Sequence, residues 1–191
     1  MAYTTATAVK AYLGETGTDD DALIETLVGA AQAWIDNHTG RTFEASADAT
    51  RYFDCASPTV DGRRLYLDRD LCAITSITNG DGAEVAATEY VTQPRNDAPY
   101  YAIDLLGSKG VVWRAGDDAE NAIAIVGKWA YSASASTVIE QACTRLAAYL
   151  YRQKDANVFD TTAFPEAGVI TVPQGMPRDV RLMLAPYVRR H

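Results

Sequence analysis

The chain has 191 residues, of which 48% are hydrophobic and 22% charged, and its formal net charge is -8. This length and composition are typical of a globular protein that buries its core in one domain, or in one domain with an insertion. The acidic balance argues against general affinity for nucleic acid, which requires a basic surface, and disfavours binding to an anionic membrane.

The cysteines are few and widely spaced. Cys55, Cys72 and Cys143 form no CxxC motif and no Cys/His cluster, so neither a disulfide framework nor a zinc site is predicted. We expect three reduced thiols in a cytoplasmic protein. Residues 1–17 lack a basic region followed by an apolar core, so we expect no signal peptide. No apolar run approaches the roughly 20 residues that span a bilayer.

Two helices are predicted at the start of the chain. The first covers residues 4–13, begins at a threonine cap and ends at Gly14. The second covers about residues 20–37 and ends at Gly40. The aspartates at 19–21 either cap this second helix or bind a metal, and we favour capping because no converging ligands are specified elsewhere. The apolar face of the second helix is predicted to consist of Leu23, Leu27, Ala30, Ala31, Trp34 and Ile35.

Residues 51–129 change in character to Val, Ile, Tyr and Thr, with Gly and Asp-Gly turn signals. The sequence Asn79-Gly80-Asp81-Gly82 is typical of a tight turn between two strands. These features predict an antiparallel sheet or small barrel inserted between helices. The predicted strands are residues 50–54, 63–68, 73–79, 84–90, 100–105, 111–113 and 123–129.

A long helix is predicted at residues 136–154, with Ser134 or Ser136 as its cap. Its small and medium apolar residues recur at spacings of three and four, and they predict close packing against the helix at residues 20–37. Nothing in this helix is chemically reactive in an obvious way, so we interpret it as a packing element. The apolar residues are Val138, Ile139, Ala142, Cys143, Leu146, Ala147 and Leu150.

Residues 155–174 have no helical period and exceed an ordinary connection in length. Loops of this length are usually functional or are ordered by a partner. Val169, Ile170 and Val172 within it either add a strand to a neighbouring chain's sheet or form a surface hairpin, and the sequence leaves both open.

The C-terminal segment is basic in an otherwise acidic chain. Pro177 should open a final helix, and Pro186 should kink or end it near residue 185. The segment is either a solvated basic end or a docking peptide for an acidic partner surface. Its arginines are Arg178, Arg181, Arg189 and Arg190.

Motifs for enzyme chemistry are missing from the sequence. Residues 107–110 lack the spacing of a phosphate-binding loop, and no GxSxG motif occurs. His38 lies at a predicted helix end and His191 at the last position, so neither suits a Ser/His/Asp or Cys/His site. Aromatic residues in the strands leave a sugar- or nucleotide-binding platform as an alternative, although it lacks a basic groove. We therefore expect no catalytic residue, no cofactor and no metal.

Three segments carry a resemblance to a known family. Residues 9–43, VKAYLGETGTDDDALIETLVGAAQAWIDNHTGRTF, place a short helix before an Asp-capped helix that ends in Thr-Gly-Arg-Thr-Phe. Residues 126–155, VGKWAYSASASTVIEQACTRLAAYLYRQKD, place a Gly-x-Trp step before the long helix, with Ala130 where the family usually has glycine. Residues 176–190, MPRDVRLMLAPYVRR, form a closing helix. In this order around a β insertion, they resemble the head–tail connector (adaptor, or head-completion) proteins of long-tailed bacteriophages and phage-like particles.

The resemblance implies a structural virion protein rather than an enzyme. Such proteins form rings, typically of twelve subunits, that connect the DNA-filled head to the tail and extend the DNA channel. We therefore expect a homo-oligomeric ring in the virion neck, made in the host bacterial cytoplasm. The expected partners are the portal protein above and a stopper or tail-completion protein below. DNA should pass without sequence-specific binding, and no membrane is involved. The alternatives are another virion connector, such as a stopper or tail accessory protein, or an enzyme acting through the β region.

The residue patterns and the resemblance together give the expected fold and the candidate contacts. The expected fold is α+β, a small antiparallel bundle of four helices with an inserted, barrel-like antiparallel β region. The expected segments are 1–43 (helical hairpin), 44–130 (β insertion), 131–155 (central helix), 156–176 (extended loop) and 177–191 (C-terminal helix and tail). The predicted portal contacts are Arg178, Arg181, Arg189 and Arg190. The predicted subunit interface consists of Arg145, Tyr149, Arg152, Val169, Ile170 and Val172.

Overall fold

A computed structural model of the chain describes residues 2–45, 47–154, 163–164, 168–169 and 175–189. The chain forms two compact units. The β unit consists of residues 41–134, and the helical unit combines residues 2–40 with residues 135–191. The protein thus mixes helices and antiparallel sheets, as the sequence predicts. The finer division into five segments stays a prediction.

The described part of the helical unit contains four α-helices, and the third contacts each of the other three. Thr5 caps the first helix by accepting a hydrogen bond from the Ala8 amide, and Gly14 ends it with a left-handed φ of 79°. The last helix passes into a 3-10 turn that contains Pro186, as predicted from the missing amide of proline. The helices are α1 (Ala6–Leu13), α2 (Asp21–Thr39), α3 (Thr137–Gln153) and α4 (Arg178–Leu184).

The predicted apolar face of α2 is partly wrong. The buried apolar positions are Ile24, Val28, Ala31 and Ile35. Leu23 and Trp34, which were expected in the core, are 38% and 41% exposed. Leu27 is half-buried and Ala30 exposed. The buried set lies directly beside the predicted face and shares Ala31 and Ile35 with it, so the sequence offers two adjacent apolar stripes and the packing of the unit selects one of them.

The buried face of α3 also differs from the expectation. Val138 is 40% exposed, whereas Thr144, which is not among the predicted apolar residues, is buried. The Thr144 hydroxyl donates to the Glu140 carbonyl oxygen at 2.9 Å and shares a 2.7 Å hydrogen bond with the Thr4 hydroxyl. A buried threonine is tolerated here because its hydroxyl is satisfied. Ser136 occupies the cap position without a side-chain hydrogen bond to the helix.

The β unit contains two main sheets, and all of their pairings are antiparallel. One sheet has the order β1-β7-β4 and the other the order β2-β3-β6-β5. The strands are β1 (Ala49–Phe53), β2 (Val60–Asp61), β3 (Arg64–Leu71), β4 (Ala73–Thr78), β5 (Tyr90–Gln93), β6 (Tyr100–Leu105) and β7 (Ile123–Lys128).

The two sheets contribute to a common hydrophobic core. Along β7, Ile123 and Ile125 are buried and alternate with half-buried residues, because successive side chains point to opposite faces of a strand. These isoleucines share the core with Ile77 of β4 and with Leu65 and Ile103 of the other sheet.

Two predicted strands are wrong. Residues 84–90 form only a single bridge, between Glu84 and Thr78, before β5 begins at Tyr90. Residues 111–113 pair with no strand. Their polar groups are instead bound by side chains and distant carbonyls. Asn79 donates to the Val112 carbonyl oxygen, and the Trp113 indole donates to the Arg63 carbonyl oxygen.

The described strands form no closed barrel, so the barrel-like part of the expected fold is not confirmed. In the helical unit, Ala163–Phe164 (β8) and Gly168–Val169 (β9) pair as a two-stranded antiparallel element.

Candidate functional site

A groove in the helical unit gathers three of the predicted interface residues. We call it the α3–α4 groove, and its volume is about 180 Å³. Arg145, Tyr149 and Arg152 all line it, because spacings of three and four residues place them on one side of α3. The remaining lining residues are Tyr12, Ala148, Pro177, Asp179 and Val180.

Charge in the α3–α4 groove is only partly balanced. Arg145 Nη1 donates to Asp179 Oδ2 at 3.0 Å, and this hydrogen bond holds the pKa of Asp179 below its usual value. The Nε of Arg145 is buried and has no acceptor among the described residues. Arg152 is exposed, and no carboxylate in the described ranges pairs with it. The groove therefore carries more positive than negative charge, and the exposed guanidinium of Arg152 offers unused N–H donors.

The other three predicted interface residues lie elsewhere or are not described. Val169 belongs to the short strand β9. Ile170 and Val172 lie outside the described residues. The predicted role of these three residues, like that of the groove residues, stays a prediction.

The predicted portal arginines fall into two groups. Arg178 and Arg181 lie three residues apart on α4 and are both exposed. Arg189 is half-buried, and its backbone amide donates to the Thr39 carbonyl oxygen at 2.8 Å, which attaches the tail to the last residue of α2. Arg190 lies outside the described residues. Among the described arginines of the basic segment, Arg178 and Arg181 are therefore the exposed pair.

The aspartates stand at the start of α2 as expected, with Asp20 at the cap position and Asp21 in the first turn, but their carboxylates bind other helices. Asp20 occupies the cap position without a side-chain cap hydrogen bond. Its Oδ2 instead accepts from the Tyr151 hydroxyl at 2.6 Å and from Lys154 Nζ at 2.5 Å, at the far end of α3. Asp21 pairs with Lys10 of α1 at 2.5 Å. These carboxylates join helices, and the described residues contain no cluster of three metal-ligating side chains.

Asp20, Tyr151 and Lys154 shift one another's pKa values. Hydrogen bonds from Lys154 and then Tyr151 lower the pKa of Asp20. The carboxylate in turn raises the pKa values of Tyr151 and Lys154. The hydrogen bonds thus stabilise the charged forms of Asp20 and Lys154. They do not prepare either group to act as a general acid or base.

A second surface, which sequence reasoning missed, is an acidic loop in the β unit at residues 116–121. Asp117, Asp118 and Glu120 are exposed in it. None of these three carboxylates forms an ion pair or hydrogen bond with the part of the chain that the structure describes. The signal is visible in the sequence as Gly116-Asp117-Asp118-Ala119-Glu120, in which three acids lie within four positions.

The acidic loop is fixed at both ends. Gly116 lies so close to Gly80 that a Cβ on Gly116 would be 2.2 Å from the Gly80 carbonyl oxygen. The Cys55 amide donates to the Ala119 carbonyl oxygen at 2.7 Å, and the Asn121 amide donates to Asp54 Oδ1 at 2.8 Å. The loop therefore presents its carboxylates from a defined backbone.

A third surface is the outer α2 stripe, which we define as Leu23, Leu27, Ala30 and Trp34. These residues recur at spacings of four, three and four on one side of the helix. Exposed apolar side chains in a contiguous stripe are typical of a protein–protein contact.

Nucleophilic chemistry is not favoured at the cysteines. Burial raises the pKa of Cys143 to about 12, and burial also raises the pKa values of Cys55 and Cys72. Reactive cysteines have lowered pKa values, so these thiols are poor nucleophiles.

Across the described ranges, no helix combines the length and apolar character of a membrane span.

Several solved structures share this fold. The chain has a TM-score of 0.61 and 16% identity to a chain in the neck of an empty GTA particle computed with C6 symmetry, covering 99% of this chain and 91% of that one. A chain in the neck of a native GTA particle computed with C12 symmetry gives a TM-score of 0.55 and 17% identity, over 97% and 91%. A chain from the virion of a native gene transfer agent (GTA) particle gives a TM-score of 0.54 and 18% identity, covering 98% of this chain and 93% of that one.

No curated protein matches the sequence significantly. The sequence does match one protein family over residues 2–190, which is nearly its whole length. The family is described as "Head completion protein", and the chain belongs to it.

Proposed function

We propose that this chain is a structural virion protein of the neck, which forms a twelve-subunit ring under the portal, connects the head to the tail and extends the DNA channel. The observation that carries the proposal is the match to the Head completion protein family over residues 2–190. The likeness to a chain in a GTA neck with C12 symmetry supports the ring and its subunit number. The net charge of -8 suits a channel through which DNA slides, because few cationic contacts to phosphates mean weak binding.

A head-to-tail ring requires two different surfaces that fit each other, one from each neighbour. The helical unit offers two candidate contact surfaces of different chemistry, the apolar outer α2 stripe and the cationic α3–α4 groove, and each requires its own complementary surface on a neighbour. We propose both as subunit contacts, together with the strand residue Val169 and the neighbouring Ile170 and Val172. Arg145, Tyr149 and Arg152 supply the groove contact.

The portal contact is proposed at the basic C-terminal segment. Arg178 and Arg181 project from α4 as exposed cations, and Arg189 and Arg190 follow at the end of the chain. Arginine binds carboxylates through paired N–H donors, so the complementary surface on the portal should be acidic.

Incorporation onto portal-bearing capsids tests this proposal directly. A variant with Arg178→Ala and Arg181→Ala and without residues 189–191 should fail to join capsids that lack only this protein. The control is Arg69→Ala, which removes an exposed arginine of β3. Electron microscopy of the completed necks should show a ring with the wild-type and control proteins. Normal incorporation of the variant would refute the portal contact, and a neck unchanged by omission of the chain would refute the function.

A further inference from the structure

We propose that the α3–α4 groove of one copy binds the acidic loop, residues 116–121, of a neighbouring copy. This contact rests on the proposed ring and specifies part of its subunit interface. It joins two surfaces that sequence reasoning did not connect.

The groove has the chemistry of a carboxylate receptor. Arg145 uses Nη1 for Asp179 and its side chain is still 40% exposed, although its Nε is buried and out of reach of a ligand. Arg152 adds an exposed cation without an ion pair to any described carboxylate. Tyr12 is half exposed at the groove and supplies an apolar wall. An incoming carboxylate would therefore meet two guanidinium groups, of which only one is partly neutralised.

The acidic loop has the complementary chemistry. Its three carboxylates, Asp117, Asp118 and Glu120, lie within four consecutive positions and are exposed. Other surface carboxylates are already paired within the chain, such as Asp81 with Arg114 and Asp68 with Arg51. The loop backbone is held by the close contact between Gly116 and Gly80. It is also held by the hydrogen bonds from the Cys55 amide to the Ala119 carbonyl oxygen and from the Asn121 amide to Asp54. A fixed loop loses little conformational freedom on binding, which favours association.

The two surfaces also lie on different compact units, the groove on the helical unit and the loop on the β unit. They are therefore distinct patches of one chain, as a heterologous interface requires. Repetition of the same contact from copy to copy would use each groove and each loop once, so the pairing closes with a ring and leaves neither surface in excess.

Zero-length cross-linking in assembled particles tests the contact. Arg152→Lys preserves the cation and supplies an amine, which a carbodiimide joins to a carboxylate as an amide with loss of water. Particles are assembled from an equal mixture of 14N- and 15N-labelled copies of this variant. We expect mixed-isotope peptides that join Lys at position 152 to Asp117, Asp118 or Glu120, and these should fall at least about tenfold when the three acids are changed to their amides.

The possible outcomes separate this contact from the ring itself. Mixed-isotope cross-links at other positions without this pair would refute the groove–loop contact and leave the ring intact. A pair found only with both peptides in one isotope would place the contact within a chain and refute the proposal. Absence of every mixed-isotope cross-link, with no ring in the neck, would refute the ring and this contact together.

Charge reversal provides an independent measurement. Arg152→Glu alone, or Asp117→Lys with Asp118→Lys, should each lower incorporation by about tenfold, which corresponds to the loss of about 1.4 kcal/mol of contact energy. Combining the three changes in one chain restores opposite charges at every interface and should recover most of the incorporation. The matched controls, Arg69→Glu and Asp97→Lys, reverse exposed charges elsewhere on the β unit and should have little effect. Recovery no better than the single variants would overturn the pairing.

Discussion

Thr4 and Thr144 share a buried hydrogen bond of 2.7 Å between their hydroxyl oxygens, although 140 positions separate them in the chain. Thr144 uses its own hydrogen to bind the Glu140 carbonyl oxygen, so Thr4 is the donor to Thr144. The pair links the segment before α1 to the middle of α3. It satisfies two polar groups in the interior of the helical unit.

Thr144→Val should therefore destabilise the protein by about 1–3 kcal/mol, because the buried Thr4 hydroxyl loses its acceptor. Urea unfolding followed by circular dichroism measures the loss. The double variant Thr4→Val with Thr144→Val removes both partners and should cost clearly less than the sum of the single changes. Strict additivity would contradict the shared hydrogen bond.

Asp20 should contribute to the acid stability of the protein. Hydrogen bonds from Lys154 and Tyr151 lower its pKa in the folded state below the usual 3.8. Its stabilising contribution is therefore fully present above pH 3.8 and is lost as the pH falls through the folded-state pKa. Urea midpoints measured from pH 2.5 to pH 6 should fall less steeply below pH 4 in Asp20→Asn than in the wild type. Parallel curves for the two proteins would contradict this role.

Gly116→Ala should be strongly destabilising. A Cβ there would be 2.2 Å from the Gly80 carbonyl oxygen, and the backbone φ of 68° is unfavourable for alanine. We expect a loss of about 2–4 kcal/mol from the steric and conformational costs together. Gly82→Ala is the matched control, because its φ is 80° but no atom lies within 4 Å of the added Cβ. Equal losses of unfolding free energy in the two variants would show that Gly116 does not lie in close contact with Gly80.

The outer α2 stripe should matter for assembly as well as for folding. Leu23 and Trp34 are 38% and 41% exposed and thus partly covered, so Leu23→Ser with Trp34→Ser should lower the unfolding free energy by about 1–3 kcal/mol. The same variant should fail to incorporate into particles. Ile35→Ala is the contrasting change, since Ile35 is fully buried and its truncation should cost about 2–4 kcal/mol. Normal incorporation of the serine variant would exclude the stripe as a contact.

Cys143 should resist alkylation until the protein unfolds. Its thiol is fully buried, and burial raises its pKa to about 12, so almost no thiolate is present at pH 8. Iodoacetamide labelling read by mass spectrometry should modify the half-buried Cys55 and Cys72 first. Cys143 should react only in denaturant. Labelling of Cys143 at the rate of the other two in the native protein would contradict its burial.

The sequence was least informative where one local pattern allowed two solutions. The apolar residues of α2 fit two overlapping faces, and only contacts with the other helices place Ile24 inward and leave Trp34 outside. Residues 111–113 have the composition of a strand, but Asn79 binds the carbonyl oxygen of Val112 in place of a neighbouring strand. The aspartate before α2 has the position of a cap, yet its carboxylate binds Tyr151. Tertiary partners overrode local preference in each case.

Local chemistry alone determined the ends of the helices, the main antiparallel strands and the resemblance to the family. Gly14 and Gly40 end helices because glycine adopts left-handed backbone angles at low cost, and Pro186 ends α4 because it lacks an amide hydrogen. Only the tertiary structure decided which charges remain unpaired. Arg152 and the carboxylates of the acidic loop are exposed without described partners, whereas Asp20 is bound to Lys154, 134 positions away. Such pairing depends on distances between remote segments, which spacing along the chain does not encode.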